Sequence, residues 1–228
     1  MKSKILHERI QVRLELELKR QKECGKKFIS DEEIDALIDE AIKIEAGKKT
    51  LVIHPKDKST TFLEPIYKDI PNKTVVQDGL RRSEILDLIR THDRIIMLGH
   101  GSPSGLLNMG QFPDCRYVID SQMVMLLSQK KDNIFIWCYA DQFVNQYILN
   151  GFYSGLFISE VSEAIGERIS NPTQIQVDES NNRFSKVLGG CVNCSTEQIF
   201  DTVIQEYGDL TITNKIAQYN HSRLYFRI

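Results

Sequence analysis

Two residues far apart in the chain stand where an apolar run gives way to groups that can do chemistry. Arg94-Ile95-Ile96-Met97-Leu98 leads into Gly99-His100-Gly101-Ser102-Pro103-Ser104-Gly105, and Asn133-Ile134-Phe135-Ile136-Trp137 leads into Cys138-Tyr139-Ala140-Asp141. An imidazole accepts and returns protons near neutral pH, and a thiol becomes a strong nucleophile once a neighbouring base or cation favours its thiolate. A helix starting just after Cys138 would add to that effect. Glycines on both sides of His100 let a substrate approach the backbone closely. The amides of Gly101 and Cys138 would then be available to a developing oxyanion. Taken singly, a Cys closing a strand is most often a small hydrophobe, and a His among glycines is most often a loop residue.

The elements around these residues must bring them together. From Thr50 onward, short apolar runs alternate with helical stretches. Leu51-Val52-Ile53, Thr74-Val75-Val76, residues 94–98, 133–137 and 155–159 read as strands. Helices are expected at Ser83 and beyond (Ile85, Leu86, Leu88, Ile89), at residues 121–128 and at 142–149. Continuous apolar runs separated by helices are the pattern of parallel strands buried on both faces, hence an α/β sandwich. Reactive groups in such sheets collect beyond the carboxyl ends of the strands. Residues 210–213 and 223–228 read as one or two edge strands. Residues 1–47 differ in character. Ser30-Asp31-Glu32-Glu33 fits a capping box ahead of Ile34, Leu37, Ile38, Ala41 and Ile42, with Gly47 as a stop. Upstream, Ile10, Val12, Leu14, Leu16 and Leu18 alternate like a strand, but their Glu, Lys and Arg neighbours favour helix. The expected organisation is therefore an N-terminal helical segment, 1–47, followed by an α/β domain, 48–228.

The order His-Gly at one strand end and Cys at the next resembles the caspase-like cysteine peptidases: caspases, metacaspases, clostripain-like and CHAT-type enzymes. Ile95 to Leu106 is similar to their strand, His-Gly and hairpin. Tyr117-Val118-Ile119-Asp120-Ser121 with Val124, Leu126 and Leu127 is similar to their intervening helix, and Ile134 to Cys138 to their nucleophile strand. The likeness covers about 51–159, with 210–228 as a continuation. It implies a three-layer α/β/α sandwich with a mostly parallel sheet. It also implies a cysteine endopeptidase in which His100 is the acid/base, Cys138 the nucleophile that forms a thioester, and Gly101 an oxyanion donor. Trp137 precedes the cysteine where many members carry Ala or Ser, and Gln-Ala-Cys-Arg-Gly is absent. Asp141 and Glu160, near strand ends, are candidates to line a pocket for a basic side chain. The alternatives are a catalytically inactive caspase-like interaction module and a small-molecule amidase using the same dyad.

Composition bounds the partners. Lys plus Arg number 29 against 31 Asp plus Glu, a formal net charge of -2, which gives no electrostatic reason to expect nucleic acid. An apolar share of 41 % excludes a disordered tail protein. No run reaches the roughly 18 apolar residues of a membrane span, and the first residues lack the apolar stretch of a secretory signal. With an odd number of cysteines, 5, the reading is a cytoplasmic chain with free thiols. A peptide or protein substrate is the expected partner, with no membrane, and residues 1–47 are a candidate regulatory or partner-binding arm. No cofactor or metal is expected. Cys191-Val192-Asn193-Cys194 has zinc-ligand spacing but lacks a second pair. It reads as a turn after Gly189-Gly190, before a helix over 196–207. His54, which follows the first strand, would share a rim with His100, while His92 and His221 read as surface or capping residues.

Overall fold

The computed structural model describes residues 47–113 and 115–228, of which 49–228 form one compact unit. The elements expected around Ser30 and over residues 10–18 lie outside the described residues. Six strands make the main sheet: β1 (Thr50–Ile53), β2 (Lys73–Val76), β3 (Arg94–Leu98), β7 (Ile134–Ile136), β8 (Gly151–Ser154) and β9 (Leu224–Arg227). Their order across the sheet is β2-β1-β3-β7-β8-β9. All neighbours run parallel except β9, which closes the edge antiparallel to β8. A second, antiparallel sheet joins β4 (Gly101–Ser102), β5 (Gly105–Leu107) and β6 (Tyr117–Ile119) in sequence order.

The apolar runs sort by parity, as the two-residue period of a strand requires. Leu51, Ile53, Ile95, Met97 and Phe135 point to one face. There they meet Ile85 and Ile89 of α2 (Arg82–Thr91), Leu127 of α3 (Val124–Leu127), and Phe143 and Val144 of α4 (Ala140–Tyr147). Val52, Ile96, Leu98, Ile134 and Ile136 point to the other face. They meet Ile66 of α1 (Glu64–Tyr67), Phe184 and Leu188 of α6 (Gln174–Cys191), and Ile199 and Val203 of α7 (Thr196–Gly208). The short α5 (Val161–Gly166) and α8 (Lys215–His221) complete the helices among the described residues. A mostly parallel sheet with helices on both faces is the expected α/β architecture.

Several local expectations need correction. Helix α2 is capped at Arg81, whose amide donates to the Glu84 carboxylate at 2.8 Å, so Ser83 lies inside the first turn. Tyr117–Ile119 is not the start of a helix but a strand paired with β5. Residues 155–159 follow β8 rather than forming it. Their apolarity reflects packing, since Phe157 is stacked on Phe62 and packed on Phe184. Residues 209–212 are a 3-10 turn and not a strand, whereas the expected edge strand at the C-terminus is present as β9. Gly189 and Gly190 belong to α6 rather than to a turn. A Cβ on Gly189 would stand 2.6 Å from the Pro65 carbonyl oxygen, so glycine is what lets α6 lie against α1.

Candidate functional site

Chain order and sheet order diverge at β1. From β1 the chain first goes outward to β2, then returns to β3 on the other side. The loops leaving β1 and β3 therefore lie at the topological switch point of the carboxyl edge, where open α/β sheets commonly place their ligands. The β1 loop carries Asp57 and Ser59, and the β3 loop carries His100. Cys138 follows β7, the next strand over.

The register fixes how His100 and Cys138 relate. Leu98 and Ile136 are paired, and the Gly99 amide extends the ladder by donating to the Ile136 carbonyl at 3.0 Å. His100 and Cys138 each stand two residues beyond that pair, on adjoining parallel strands. They share one rim of the sheet. His100 keeps 25 % of its side chain accessible, and Cys138 is a half-buried residue.

The hairpin after His100 presents the Gly101 amide. Gly101 is paired with Leu106, and the Leu107 amide donates to the His100 carbonyl at 2.9 Å. That pattern makes Gly101 and Leu106 a non-hydrogen-bonded pair, so the Gly101 N–H turns away from β5. Because β4 is an edge strand, no strand lies on that side. Among the described residues the Cys138 amide is also without a hydrogen-bond partner. Among the described residues neither of the two expected oxyanion amides is hydrogen-bonded. Trp137 explains how the hairpin is held: its ring packs against Gly101, and its Nε1 donates to the Ser102 carbonyl at 3.2 Å. The indole props the loop where a smaller residue would leave a gap.

After Cys138 the chain turns sharply. Tyr139 adopts the left-handed conformation at φ 68°, which costs a non-glycine residue on the order of 1 kcal/mol, and α4 begins at the next residue. The net effect on the thiol is upward, against the thiolate. Burial pushes it up to about 11, the Glu163 carboxylate adds to the rise, and the Phe157 backbone offsets part of it. Its Sγ donates to the Phe157 carbonyl at 3.7 Å. The resting sulfur is therefore a neutral thiol. Asn220 fixes this stretch by bonding both the amide and the carbonyl of Ile158, at 2.7 and 2.9 Å.

Sequence reasoning missed Asp57 and Ser59. The Ser59 amide and hydroxyl both donate to Asp57 Oδ1, at 2.8 and 2.5 Å. The Ser59 Oγ lies 2.6 Å from His100 Nε2, and Asp57 Oδ1 lies 3.7 Å from the same nitrogen. The Ser59 hydrogen bonds, with the nearby imidazole, hold the Asp57 carboxyl below the usual carboxylate range. The only available signal was an Asp-x-Ser turn in the loop that follows a strand.

His54 is not on the open rim with His100. It is buried, bonded through Nδ1 to the Tyr67 hydroxyl at 3.0 Å and through Nε2 to Thr60 Oγ1 at 3.1 Å, and burial lowers it to about 4. His92 ends α2, with Nδ1 bonded to the Leu88 carbonyl at 2.7 Å, and His221 bonds the Ile204 carbonyl at 3.0 Å.

A cavity of about 560 Å³ is walled by Ser59, Phe62, Ser159, Glu160, Asp178 and Asn181, with Lys58 also on its wall, and neither His100 nor Cys138 lines it. Ser59 links it to His100. Of the two proposed pocket carboxylates, Glu160 is on this wall. Asp141 lies instead beside Gly155 with Arg223 and Tyr225, and its Oδ1 is buried without a partner among the described residues. Cys191 ends α6 with its Sγ bonded to the Val187 carbonyl at 3.4 Å, and no cluster of His, Cys, Asp or Glu suited to a metal occurs among the described residues. No helix among them is long and apolar enough to cross a membrane.

Comparison with protein-family models, with curated proteins and with solved structures finds no match.

Proposed function

We propose that this chain is a cysteine hydrolase of caspase-like architecture that cuts peptide bonds. The observation that carries this reading is the register: His100 and Cys138 each stand two residues past the paired Leu98 and Ile136, on neighbouring parallel strands. The amides of Gly101 and Cys138, unbonded among the described residues, and the polar cavity that Ser59 links to His100 add support. In the reaction, His100 takes the thiol proton as the sulfur attacks the scissile carbonyl carbon. The carbonyl oxygen becomes an oxyanion facing the two amides. Collapse breaks the C–N bond, His100 returns the proton to the leaving amine, and water then hydrolyses the thioester to acid and free thiol. Because the resting thiol is neutral, the proton moves during attack rather than before it. Glu160 and Asp178 outnumber Lys58 on the cavity wall, which favours a basic substrate side chain there.

The test is hydrolysis of a panel of fluorogenic peptide amides by the wild-type chain and by Cys138→Ala. Turnover that disappears in the variant is expected, and equal rates in the two proteins would remove Cys138 from any mechanism. A second reading, a caspase-like interaction module without turnover, is favoured by the raised thiol and its bond to the Phe157 carbonyl. It predicts background rates in both proteins.

A further inference from the structure

The side chains of the β1 loop form a connected line that ends on His100, and the direction of each hydrogen bond along it can be worked out. An ionised carboxylate only accepts hydrogen bonds. At 2.5 Å from Asp57 Oδ1, the Ser59 hydroxyl must therefore spend its one proton on the carboxylate. The oxygen that remains, 2.6 Å from His100 Nε2, has only lone pairs to offer. The proton in that contact belongs to the imidazole. A neutral ring with hydrogen on Nε2 has its lone pair on Nδ1, and among the described residues Nδ1 makes no hydrogen bond.

We propose that Asp57 and Ser59 are positioning residues that act through His100, fixing its neutral ring as the Nε2–H tautomer so that Nδ1 is the nitrogen able to accept the thiol proton. The role of Nδ1 in catalysis rests on the hydrolase reading; the tautomer assignment does not. The arrangement also steadies the ring once it is protonated. A proton gained at Nδ1 leaves Nε2–H donating along the same line, and the carboxylate 3.7 Å from Nε2 balances the new charge. Neither Asp57 nor Ser59 need move when the ring gains its proton. The Ser59 amide, donating to the same carboxylate oxygen at 2.8 Å, holds Asp57 in place whether or not the ring is charged. The hydroxyl is the specific element. Its oxygen spans a carboxylate-to-imidazole gap too long for a direct hydrogen bond.

The experiment pairs a spectroscopic readout with kinetics on the full chain. Nitrogen-15 shifts of the His100 ring, measured above its titration, should show Nε2 protonated and Nδ1 bare in the wild-type protein. Ser59→Ala and Asp57→Asn should shift the ring towards a mixture of tautomers, while Ser59→Thr, which keeps the hydroxyl, should preserve the wild-type pattern. With a fluorogenic peptide amide cut by the wild-type chain, kcat should fall about 10- to 100-fold in Ser59→Ala and Asp57→Asn, with KM little changed and near wild-type rates in Ser59→Thr. A wild-type ring protonated on Nδ1, or a tautomer unchanged by both disruptive variants, would overturn the proposal. Failure of every peptide amide to be cut would count against the hydrolase reading and leave the spectroscopic result to judge the tautomer on its own.

Discussion

Trp137 fills the space that a side chain on Gly101 would need: a Cβ there would stand 2.0 Å from the indole Cδ1 and 2.5 Å from Cγ. Real carbon atoms do not approach so closely, so Gly101→Ala must displace either the buried indole or the hairpin. The indole is wedged among Phe135 and Phe143, with ring centroids 5.7 and 5.6 Å away, which leaves the hairpin to move. A displacement of that size costs about 1–3 kcal/mol in stability. It also displaces the Gly101 amide, which the proposed mechanism uses to hold the oxyanion. Peptide-amide turnover by Gly101→Ala should fall at least ~100-fold, beyond what its loss of folded protein explains. Trp137→Phe, which removes the Nε1 bond to the Ser102 carbonyl, should recover part of the loss when combined with it. Strictly additive losses in the double variant would show that the two residues do not compete for one space.

The raised thiol sets the pH dependence of Cys138 modification. With burial pushing it up to about 11, the thiolate fraction rises about tenfold per pH unit across the neutral range. Alkylation by iodoacetamide, followed residue by residue with mass spectrometry, should climb steadily from pH 7 to beyond pH 9 without levelling off. Glu163→Gln should quicken it about twofold at a fixed pH, because it removes a negative charge that disfavours the thiolate. The substitution keeps an acceptor for the Ser159 and Glu160 amides at the start of α5, where Glu163 Oε2 now accepts from both, at 2.7 and 3.1 Å. A rate that saturates near neutrality would mean that the thiolate forms far more readily than its burial allows.

Buried, neutral His54 ties stability to pH. Its folded value, about 4, lies below the ordinary 6.5, so the unfolded chain binds the proton more readily than the folded one. Stability from this group is therefore complete above pH 6.5 and is lost as pH falls from 6.5 towards 4. The loss is about 3 kcal/mol over that window. Urea midpoints of the wild-type chain should drop between pH 6.5 and 4.5, and His54→Gln should flatten that slope. An equal slope in both proteins would assign the acid sensitivity to the carboxylates.

The frame of the candidate site was legible because parallel strands buried on both faces leave unbroken apolar runs. Ile95 to Leu98 and Ile134 to Ile136 could hardly be anything else, and their ends announced His100 and Cys138. Where burial and strand formation part company, the signal misled. Phe157 and Ile158 are as buried as any strand residue, yet they sit in a loop whose apolar side chains seal the edge of the core. Helix α6 escaped notice for the opposite reason. Its buried face includes Ser180, Asn181, Ser185 and Gly189, which blurred the hydrophobic periodicity. Asp57 and Ser59 offered only the weak signal of an Asp-x-Ser turn. A polar pair in a loop gains meaning only when folding sets it against an imidazole 41 residues further along.

Arg94 offers a test at the opposite end of the sheet. It begins β3, has no accessible surface, and donates to Thr50 Oγ1, the Val192 carbonyl and Asn193 Oδ1, at distances of 2.7 to 3.2 Å. These bonds tie the amino ends of β1 and β3 to the turn between α6 and α7. A guanidinium drawn this far from water is tolerable only because its N–H groups are met by fixed acceptors. Arg94→Met fills much of the volume but leaves those acceptors facing a thioether. The expected cost is about 2–4 kcal/mol in chemical denaturation. His100 and Cys138 stand at the carboxyl ends of their strands, so peptide-amide turnover per folded molecule should stay within about twofold of wild type at low denaturant. A variant that keeps its stability but loses turnover would show that the sheet transmits strain along its whole length, and that the amino-terminal edge of β3 belongs to the site after all.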